Sequence, residues 1–135
     1  MKLNTYLSFD GQCEEAFTFY QKVLGGEIPM MMKYSDAPGS ESMPGVALGK
    51  IMHTRLLIGD NVLMGSDAPD GSSKPAGFNV SIAIDDITEG ERIFNALAEG
   101  GNVYMPYEKT FWAERFGMVT DRFGIPWMVN AGEGM

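Results

Sequence analysis

Few side chains in this sequence could do acid–base chemistry, and His53 with Asp67 is the pair whose types and spacing fit it best. His53 is the single histidine of the chain and lies in the alternating run IMHTRLLIG. Asp67 ends the next such run, NVLMGSD, after a predicted turn. Because an imidazole beside a carboxylate can move a proton near neutral pH, we predict this pair as the candidate catalytic residues. The alternative is a hydrogen-bonded structural histidine, which is the more common use of a lone histidine on a strand.

A metal site would have to be built around the same two residues. Zinc sites take about three or more protein ligands, drawn from His, Cys, Asp and Glu. Beside Asp67, no second strong partner for His53 is visible in the sequence. The one cysteine, Cys13, precedes two glutamates at the start of a predicted helix, and neighbouring acids raise the pKa of a thiol. We therefore predict a buried structural cysteine and no metal ligand.

Length, composition and charge limit the class of protein. The chain has 135 residues, 44% hydrophobic and 21% charged, which is typical of one globular domain with its own core. Its formal net charge is -8, and an acidic chain without a basic stripe is a poor partner for nucleic acid or for an anionic membrane surface. No apolar run approaches the ~20 residues of a membrane span, and the N-terminus lacks the apolar core of a signal peptide. We predict a cytoplasmic protein with neither nucleic acid nor membrane as a partner.

An internal repeat predicts how the chain positions these residues. When the sequence is shifted by 75 residues, the segment 4–30 aligns with 79–105, and seven of the 27 positions are identical. Composition alone would give roughly two identities, so the two segments are interpreted as copies of one structural module. The identical pairs are Asn4/Asn79, Asp10/Asp85, Glu14/Glu89, Phe19/Phe94, Gly25/Gly100, Gly26/Gly101 and Met30/Met105.

Each copy shows the same order of elements. The runs NTYLSF and NVSIAI alternate with a period of two, which is typical of a strand with two different faces. An apolar stripe at helical spacing follows, and each helix is predicted to stop at a Gly-Gly pair, since glycine adopts the left-handed C-cap conformation without strain. A second strand comes next, at 28–34 and at 102–105, and then a hairpin around 59–61 and around 121–124. The predicted order is β-α-β-β-β, twice.

Four motifs carry a resemblance to a known family: YLSFDGQCEEAFTFYQKVLGGEI, HTRLLIGDNVLMGSDAP, LAEGGNVYMP and TFWAERFGMVTDRFGIPWMVN. They resemble the PhnB-like family, sometimes labelled 3-demethylubiquinone-9 3-methyltransferase. That family is part of the vicinal oxygen chelate superfamily, with glyoxalase I, bleomycin-resistance proteins and extradiol dioxygenases. The resemblance spans nearly the whole chain and implies an α+β fold in which two βαβββ modules form a curled mixed sheet. We expect a single domain, 1–135, with module one at about 1–67, a linker at about 68–77 and module two at about 78–135.

The resemblance also implies where a metal would bind. Metal-using relatives take ligands from the first and fourth strands of each module, mostly His, Gln and Glu. In this chain the first-strand positions fall on Asn4 and Asn79, with Tyr6 as the other option in module one, and the fourth-strand positions fall on Met64 and Met128. Neutral amides are poor ligands for zinc or nickel, and a thioether prefers soft Cu(I). We therefore expect these residues to line an apolar pocket and to bind no metal and no cofactor.

The aromatic residues of the last motif have two possible uses. Trp127 directly precedes Met128 and is expected on the opposite face of its strand, in the core. Phe111 and Trp112 precede a strand, where they could pack in a dimer interface or form a stacking wall for a planar ligand. Both uses stay open from the sequence.

These observations predict a metal-independent protein that binds or sequesters a small organic molecule and forms a homodimer. The alternatives are a metal-dependent lyase or dioxygenase of the same superfamily, or a methyltransferase as the family label says. The sequence has no G-x-G-x-G turn after a strand to hold a nucleotide-like methyl donor. The predicted pocket residues are Asn4, Tyr6, Met64, Asn79, Phe111, Trp112 and Met128.

Overall fold

The computed structural model describes residues 1–40, 48–68 and 74–132. The chain divides into two compact units, Met1–Ser73 and Lys74–Met135, called unit one and unit two below. Residues 69–73 of the predicted linker lie outside the described residues. Each unit contains one four-stranded sheet and one long helix, so each can be described by itself.

Unit one has the predicted order of elements. Its bounds are β1 (Thr5–Phe9), α1 (Cys13–Leu24), β2 (Glu27–Lys33), a 3-10 turn (Tyr34–Asp36), β3 (Ile51–Ile58) and β4 (Asn61–Asp67). The strands lie in the order β1-β4-β3-β2. β1 and β4 are parallel, whereas β4, β3 and β2 are antiparallel neighbours. The sheet is therefore mixed, and its first and last strands in sequence are hydrogen-bonded to each other.

Unit two repeats this topology. Its bounds are β5 (Val80–Ile84), α2 (Ile87–Ala98), β6 (Asn102–Glu108), β7 (Arg115–Thr120) and β8 (Pro126–Ala131). The strand order is β5-β8-β7-β6, again with the first and last strands parallel. The predicted α+β fold of two βαβββ modules is confirmed. None of the helices in the described parts of the chain has the length and apolar character to cross a membrane.

One face of each sheet is covered by its own helix and is called the helix face; the other is called the open face. On α1 the apolar stripe is fully buried, with Cys13, Phe17 and Tyr20 each at 0% exposure. The helix approaches β4 closely at Gly65, because a Cβ atom there would lie 2.5 Å from Cε1 of Phe17. Gly65 is therefore required by packing, since a larger residue would displace the buried Phe17 ring.

Unit two uses the same packing device on a different strand. A Cβ atom at Gly117, on β7, would lie 2.5 Å from Cε1 of Phe94 on α2. Trp127 lies on the helix face at 0% exposure, so the predicted core position of this tryptophan is confirmed. Its indole Nε1–H donates to Asp121 Oδ2 (2.9 Å), and the Asp121 carboxylate also accepts from two backbone N–H groups of its own hairpin.

Candidate functional site

The open face of unit one carries the histidine predicted as a catalytic residue. His53 is half-buried on β3, and it stacks with Tyr6 of β1 at 5.7 Å between ring centroids and 24° between planes. The Tyr6 hydroxyl lies 3.2 Å from His53 Nδ1, within hydrogen-bond distance. The hydroxyl donates when Nδ1 carries no proton and accepts when it does. Because β4 lies between β1 and β3, the two side chains meet across the middle strand of the face.

Asp67 does not lie on the open face with His53. It is 1% exposed, and its position in the alternation of β4 places it on the helix face with Leu63 and Gly65. Its Oδ1 accepts the backbone N–H of Cys13 (3.0 Å), and its Oδ2 accepts that of Ile51 (2.8 Å). The predicted His53–Asp67 proton-transfer couple is therefore wrong, and Asp67 joins the start of α1 to the start of β3.

The Asp67 carboxylate also affects the pKa of the Cys13 thiol. Cys13 is fully buried at the first position of α1. Burial raises the pKa of the Cys13 thiol well above its usual range, and the negative charges of Asp67 and Glu14 raise it further. A thiol in this state is a weak nucleophile, because the thiolate is the reactive form. The prediction of a buried structural cysteine is confirmed.

The metal-ligand positions implied by the resemblance hold a different set of donors. Asn4 is exposed and precedes β1, and Asn79 precedes β5, so neither lies within a strand. The Cα partners of Met64 and Met128 across the parallel strand pairs are Tyr6 and Ser81. Two thioethers, a phenol and a hydroxyl carry no charge to balance a dication at neutral pH, so this donor set does not fit zinc or nickel. Over the described residues, no three His, Cys, Asp or Glu side chains come together in a way that could hold a metal ion.

The open face of unit two carries a cavity of about 540 Å³. It lies at the end of the sheet where β7 ends and β8 begins, and its floor includes Met118, Thr120 and Pro126. Asn79, one of the predicted pocket residues, lines it. Met128 is not among its lining residues, although its Cα partner Met118 is. The full lining is Lys74, Pro75, Ala76, Gly77, Phe78, Asn79, Tyr104, Met118, Thr120, Gly124 and Pro126.

Phe111 and Trp112 lie toward the other end of this face. Trp112 is 49% exposed and meets Phe116 of β7 edge to face at 5.3 Å, while Phe111 is 96% exposed and meets Trp112 at 4.8 Å. The Thr110 hydroxyl oxygen accepts the backbone N–H groups of Trp112 and Ala113, which holds the turn that presents these rings. At about 3.3 Å per strand residue, Phe116 and Thr120 are about 13 Å apart along β7. The aromatic pair and Asn79 therefore lie at opposite ends of the face.

Comparison with known proteins identifies the family. The family model described as 3-demethylubiquinone-9 3-methyltransferase matches residues 1–130. This chain belongs to that family. Protein YjdN of Escherichia coli (strain K12) is 37% identical over 139 residues, which span 96% of this chain and 95% of that protein. The family predicted from the four sequence motifs is therefore confirmed.

Solved structures of similar proteins have the same fold. Protein PA1353 from Pseudomonas aeruginosa shares 46% identity and a TM-score of 0.89, covering 98% of both chains. The PhnB protein from Bacillus cereus shares 26% identity and a TM-score of 0.80, covering 98% of this chain and all of that one. The fosfomycin resistance protein FosX from Listeria monocytogenes is 12% identical with a TM-score of 0.68, over 99% of this chain and 94% of that one, a likeness of fold alone.

Proposed function

We propose that the protein binds a small organic molecule on the open face of unit two and does so without a metal. The observation that carries this proposal is the 540 Å³ cavity, whose volume is within the range of about 300–1,000 Å³ common for small-molecule sites. The cavity lies on the side of the sheet that α2 does not cover, where a ligand can reach it.

The lining indicates the kind of molecule. Phe78, Tyr104 and Met118 offer aromatic and thioether surface, and methionine adapts its shape to different ligands. Asn79 and Thr120 each offer a hydrogen-bond donor and acceptor at the same site. This combination favours a flat, largely apolar molecule with one or two neutral polar groups.

The remaining predicted pocket residues of unit two belong to the same proposal as outer contacts. Met128 continues the face beside Met118, and Phe111 with Trp112 would stack on the part of a longer ligand that extends toward Phe116. On unit one, Tyr6 and Met64 share the open face, and Asn4 precedes it. Those three are kept as predicted ligand contacts.

A neutral fluorescent probe, N-phenyl-1-naphthylamine, tests the cavity directly. We expect saturable binding by the wild type and at least tenfold weaker binding by Met118→Glu, because that change buries an unpaired carboxylate among apolar groups. Met105→Glu is the matched control, since Met105 is 37% exposed and lies outside the cavity lining. Equal affinity of the probe for wild type and Met118→Glu would refute the proposed location.

Native mass spectrometry of freshly purified protein tests the rest of the proposal in one measurement. We expect a homodimer of about twice the 14.8 kDa chain mass, less than about 0.1 equivalent of zinc or nickel, and any bound compound as an added organic mass. The edge strand β6 supports the dimer, because it exposes Val103, Tyr104 and Met105 on an unpaired edge. A monomer at micromolar concentration, or one metal ion per chain, would contradict the corresponding part.

Methyl transfer, the activity in the family description, is the alternative function. It requires a site for a methyl donor, and calorimetry with S-adenosylmethionine measures whether one exists. We expect no stoichiometric heat of binding. A one-to-one complex would replace the binding proposal with the activity that the family description names.

A further inference from the structure

Arg55 lies on the open face of unit one and has no partner among the residues that the structure describes. It is exposed at the middle of β3, between Met64 of β4 and Met30 of β2, which are its Cα partners on the two sides. In the described part of the chain its guanidinium forms neither an ion pair nor a hydrogen bond. The residues directly opposite Arg55 on β2 and β4 are both methionines, so among the described residues its five N–H donors meet no acceptor there and are available to a ligand.

The side chains around Arg55 add further donors and no carboxylate contact. His53 and Arg55 are two residues apart on β3 and therefore point to the same side of the sheet. Tyr6 holds His53 through its hydroxyl and ring, which leaves His53 Nε2 as the free end of the imidazole. Ser66 of β4 and Ser8 of β1 bring hydroxyl groups to the same face.

The acid closest along the sheet is Glu27, and it does not neutralise this site. Glu27 is exposed at the start of β2, opposite Leu57, and a register shift separates it from Met30. No carboxylate oxygen of the described residues lies within 4.0 Å of the Arg55 guanidinium. The chain has 18 acidic and 10 basic residues, so acidic partners are plentiful and an arginine without one keeps an uncompensated positive charge.

We propose that the open face of unit one binds an oxyanion, a carboxylate or a phosphoryl group of a small molecule, with Arg55 as the charge partner, His53 as a hydrogen-bond donor and Tyr6 as the residue that orients the His53 ring. A guanidinium binds such groups through two parallel N–H···O bonds, which fixes orientation as well as charge. When Tyr6 donates to Nδ1, the His53 proton sits on Nε2 and points to the ligand side. The residues that carry this proposal all belong to unit one.

The single histidine makes the experiment specific. The imidazole Cε1–H resonance of His53 in proton NMR reports on this face alone, because no other histidine contributes a signal. Three probes of similar size are titrated into the whole chain: benzoate, phenyl phosphate and the neutral benzyl alcohol. We expect a saturable shift of the resonance with one or both anions and none with benzyl alcohol. The comparison of benzoate with phenyl phosphate shows which oxyanion the site prefers.

Two arginine variants separate the site from general charge. Arg55→Gln is expected to weaken anion binding at least tenfold, the usual cost of losing a charge-assisted pair. Arg92→Gln removes the same charge from an exposed ion pair with Glu89 on α2 and is expected to leave binding unchanged. Circular dichroism of both variants checks that the fold is retained, and the naphthylamine titration checks the unit two cavity independently. Equal weakening by both variants, an unchanged affinity in Arg55→Gln, or no saturable shift with either anion would overturn the proposal.

Discussion

Unit one and unit two share one topology and differ in what they place on their open faces. The open face of unit one carries His53, Arg55 and the Tyr6 hydroxyl, which are groups that donate hydrogen bonds or carry charge. That of unit two carries Met118 and Met128, with Asn130 between Ala83 and Phe116, and Oδ1 of Asn130 is buried without a partner among the described residues. The strand order is constrained by the fold, whereas the open faces are free to differ, and the two units carry different side-chain chemistry there.

The helix faces differ in a more limited way, because they solve the same packing problem. Each unit needs a glycine under a phenylalanine ring, at Gly65 in unit one and at Gly117 in unit two. Each also buries one carboxylate that accepts several N–H groups, but Asp67 joins a helix to a strand, whereas Asp121 braces a hairpin and the Trp127 indole.

The largest expected effect comes from the buried carboxylates. Asp67→Asn should lower the free energy of unfolding by about 3 kcal/mol, because an amide accepts only one of the two backbone N–H groups and turns its own NH₂ toward the other. Asp121→Asn should cost about 2 kcal/mol, because its carbonyl still serves the two backbone donors while the hydrogen bond from Trp127 is lost. Urea unfolding of both variants measures the difference.

A second substitution distinguishes the two carboxylates further. Trp127→Phe removes the indole N–H that would face the NH₂ group of the new asparagine. In that background, Asp121→Asn should therefore lower the free energy of unfolding clearly less than in the wild type. Asp67 has only backbone donors, and no side-chain change can relieve its loss. Equal costs of Asp121→Asn in both backgrounds would show that the indole contact contributes nothing to stability.

The next effect concerns the two glycines. Gly65→Ala should destabilise by about 2 kcal/mol, because the new methyl group meets the buried Phe17 ring at 2.5 Å and the Leu7 carbonyl oxygen at 3.0 Å. Gly117→Ala should cost less, about 1 kcal/mol, because the three atoms nearest to the new methyl group all belong to the Phe94 ring, which can shift.

Thermal unfolding measures both glycine variants, and each has a rescue. Phe17→Leu should recover part of the loss in Gly65→Ala, and Phe94→Leu part of that in Gly117→Ala. Gly49→Ala is the control, because a methyl group there meets no atom within 4 Å. A loss in Gly49→Ala as large as in Gly65→Ala would mean that glycine flexibility, and not the ring contact, explains the effect.

The last effect is absent near neutral pH, appears only at alkaline pH and again differs between the units. Burial raises the pKa of the Cys13 thiol in the native state, so the unfolded chain loses this proton first, above about pH 8.5. Stability is fully present below that pH and should fall above it by at most about 1.4 kcal/mol per pH unit. Burial also raises the pKa of Tyr107 in unit two, with the same sign, but its contribution should begin only above about pH 10.

Unfolding of Cys13→Ala and Tyr107→Phe between about pH 8 and 11 separates these contributions. The free energy of unfolding of the wild type minus that of Cys13→Ala should decrease from about pH 8.5 upward. The corresponding difference between the wild type and Tyr107→Phe should decrease only from a higher pH. A Cys13→Ala difference that stays constant across this range would mean that the thiol keeps an ordinary pKa in the folded protein.

The fold was predictable from the sequence because its signals are local and repeated. Alternation gave the strands, helical spacing gave α1 and α2, and the Gly-Gly pairs lie where the helices end, with Gly25 and Gly100 at φ of 78° and 72°. The repeat itself was less accurate inside the helix. It pairs Phe19 with Phe94, yet the ring that fills the place of Phe94 in unit one belongs to Phe17.

The site was predicted less well, because a face depends on register. The prediction paired His53 with Asp67 from their closeness in sequence. The hairpin pairs Ile58 with Asn61 and Thr54 with Gly65. His53 is therefore opposite Ser66 and on the same face of the sheet, whereas Asp67, the next residue after Ser66, points to the other face. Counting outward from the turn would have found this. The sequence near Tyr6 does not show that its side chain contacts His53. The two residues lie on β1 and β3, and these strands come close only because β4 inserts between them.

In each unit the first strand made is paired with the last one. Thr5 has Leu63 as its partner and Val80 has Trp127, both in parallel pairs. At about 5–20 residues per second of synthesis, β1 leaves the ribosome roughly 3–12 s before β4 can pair with it. During that interval Leu7 and Phe9, which are 1% and 2% exposed in the finished sheet, have no β4 to pack beside. The packing around the first strand of each unit is therefore completed only when the last strand of that unit has been made, first for unit one and then for unit two.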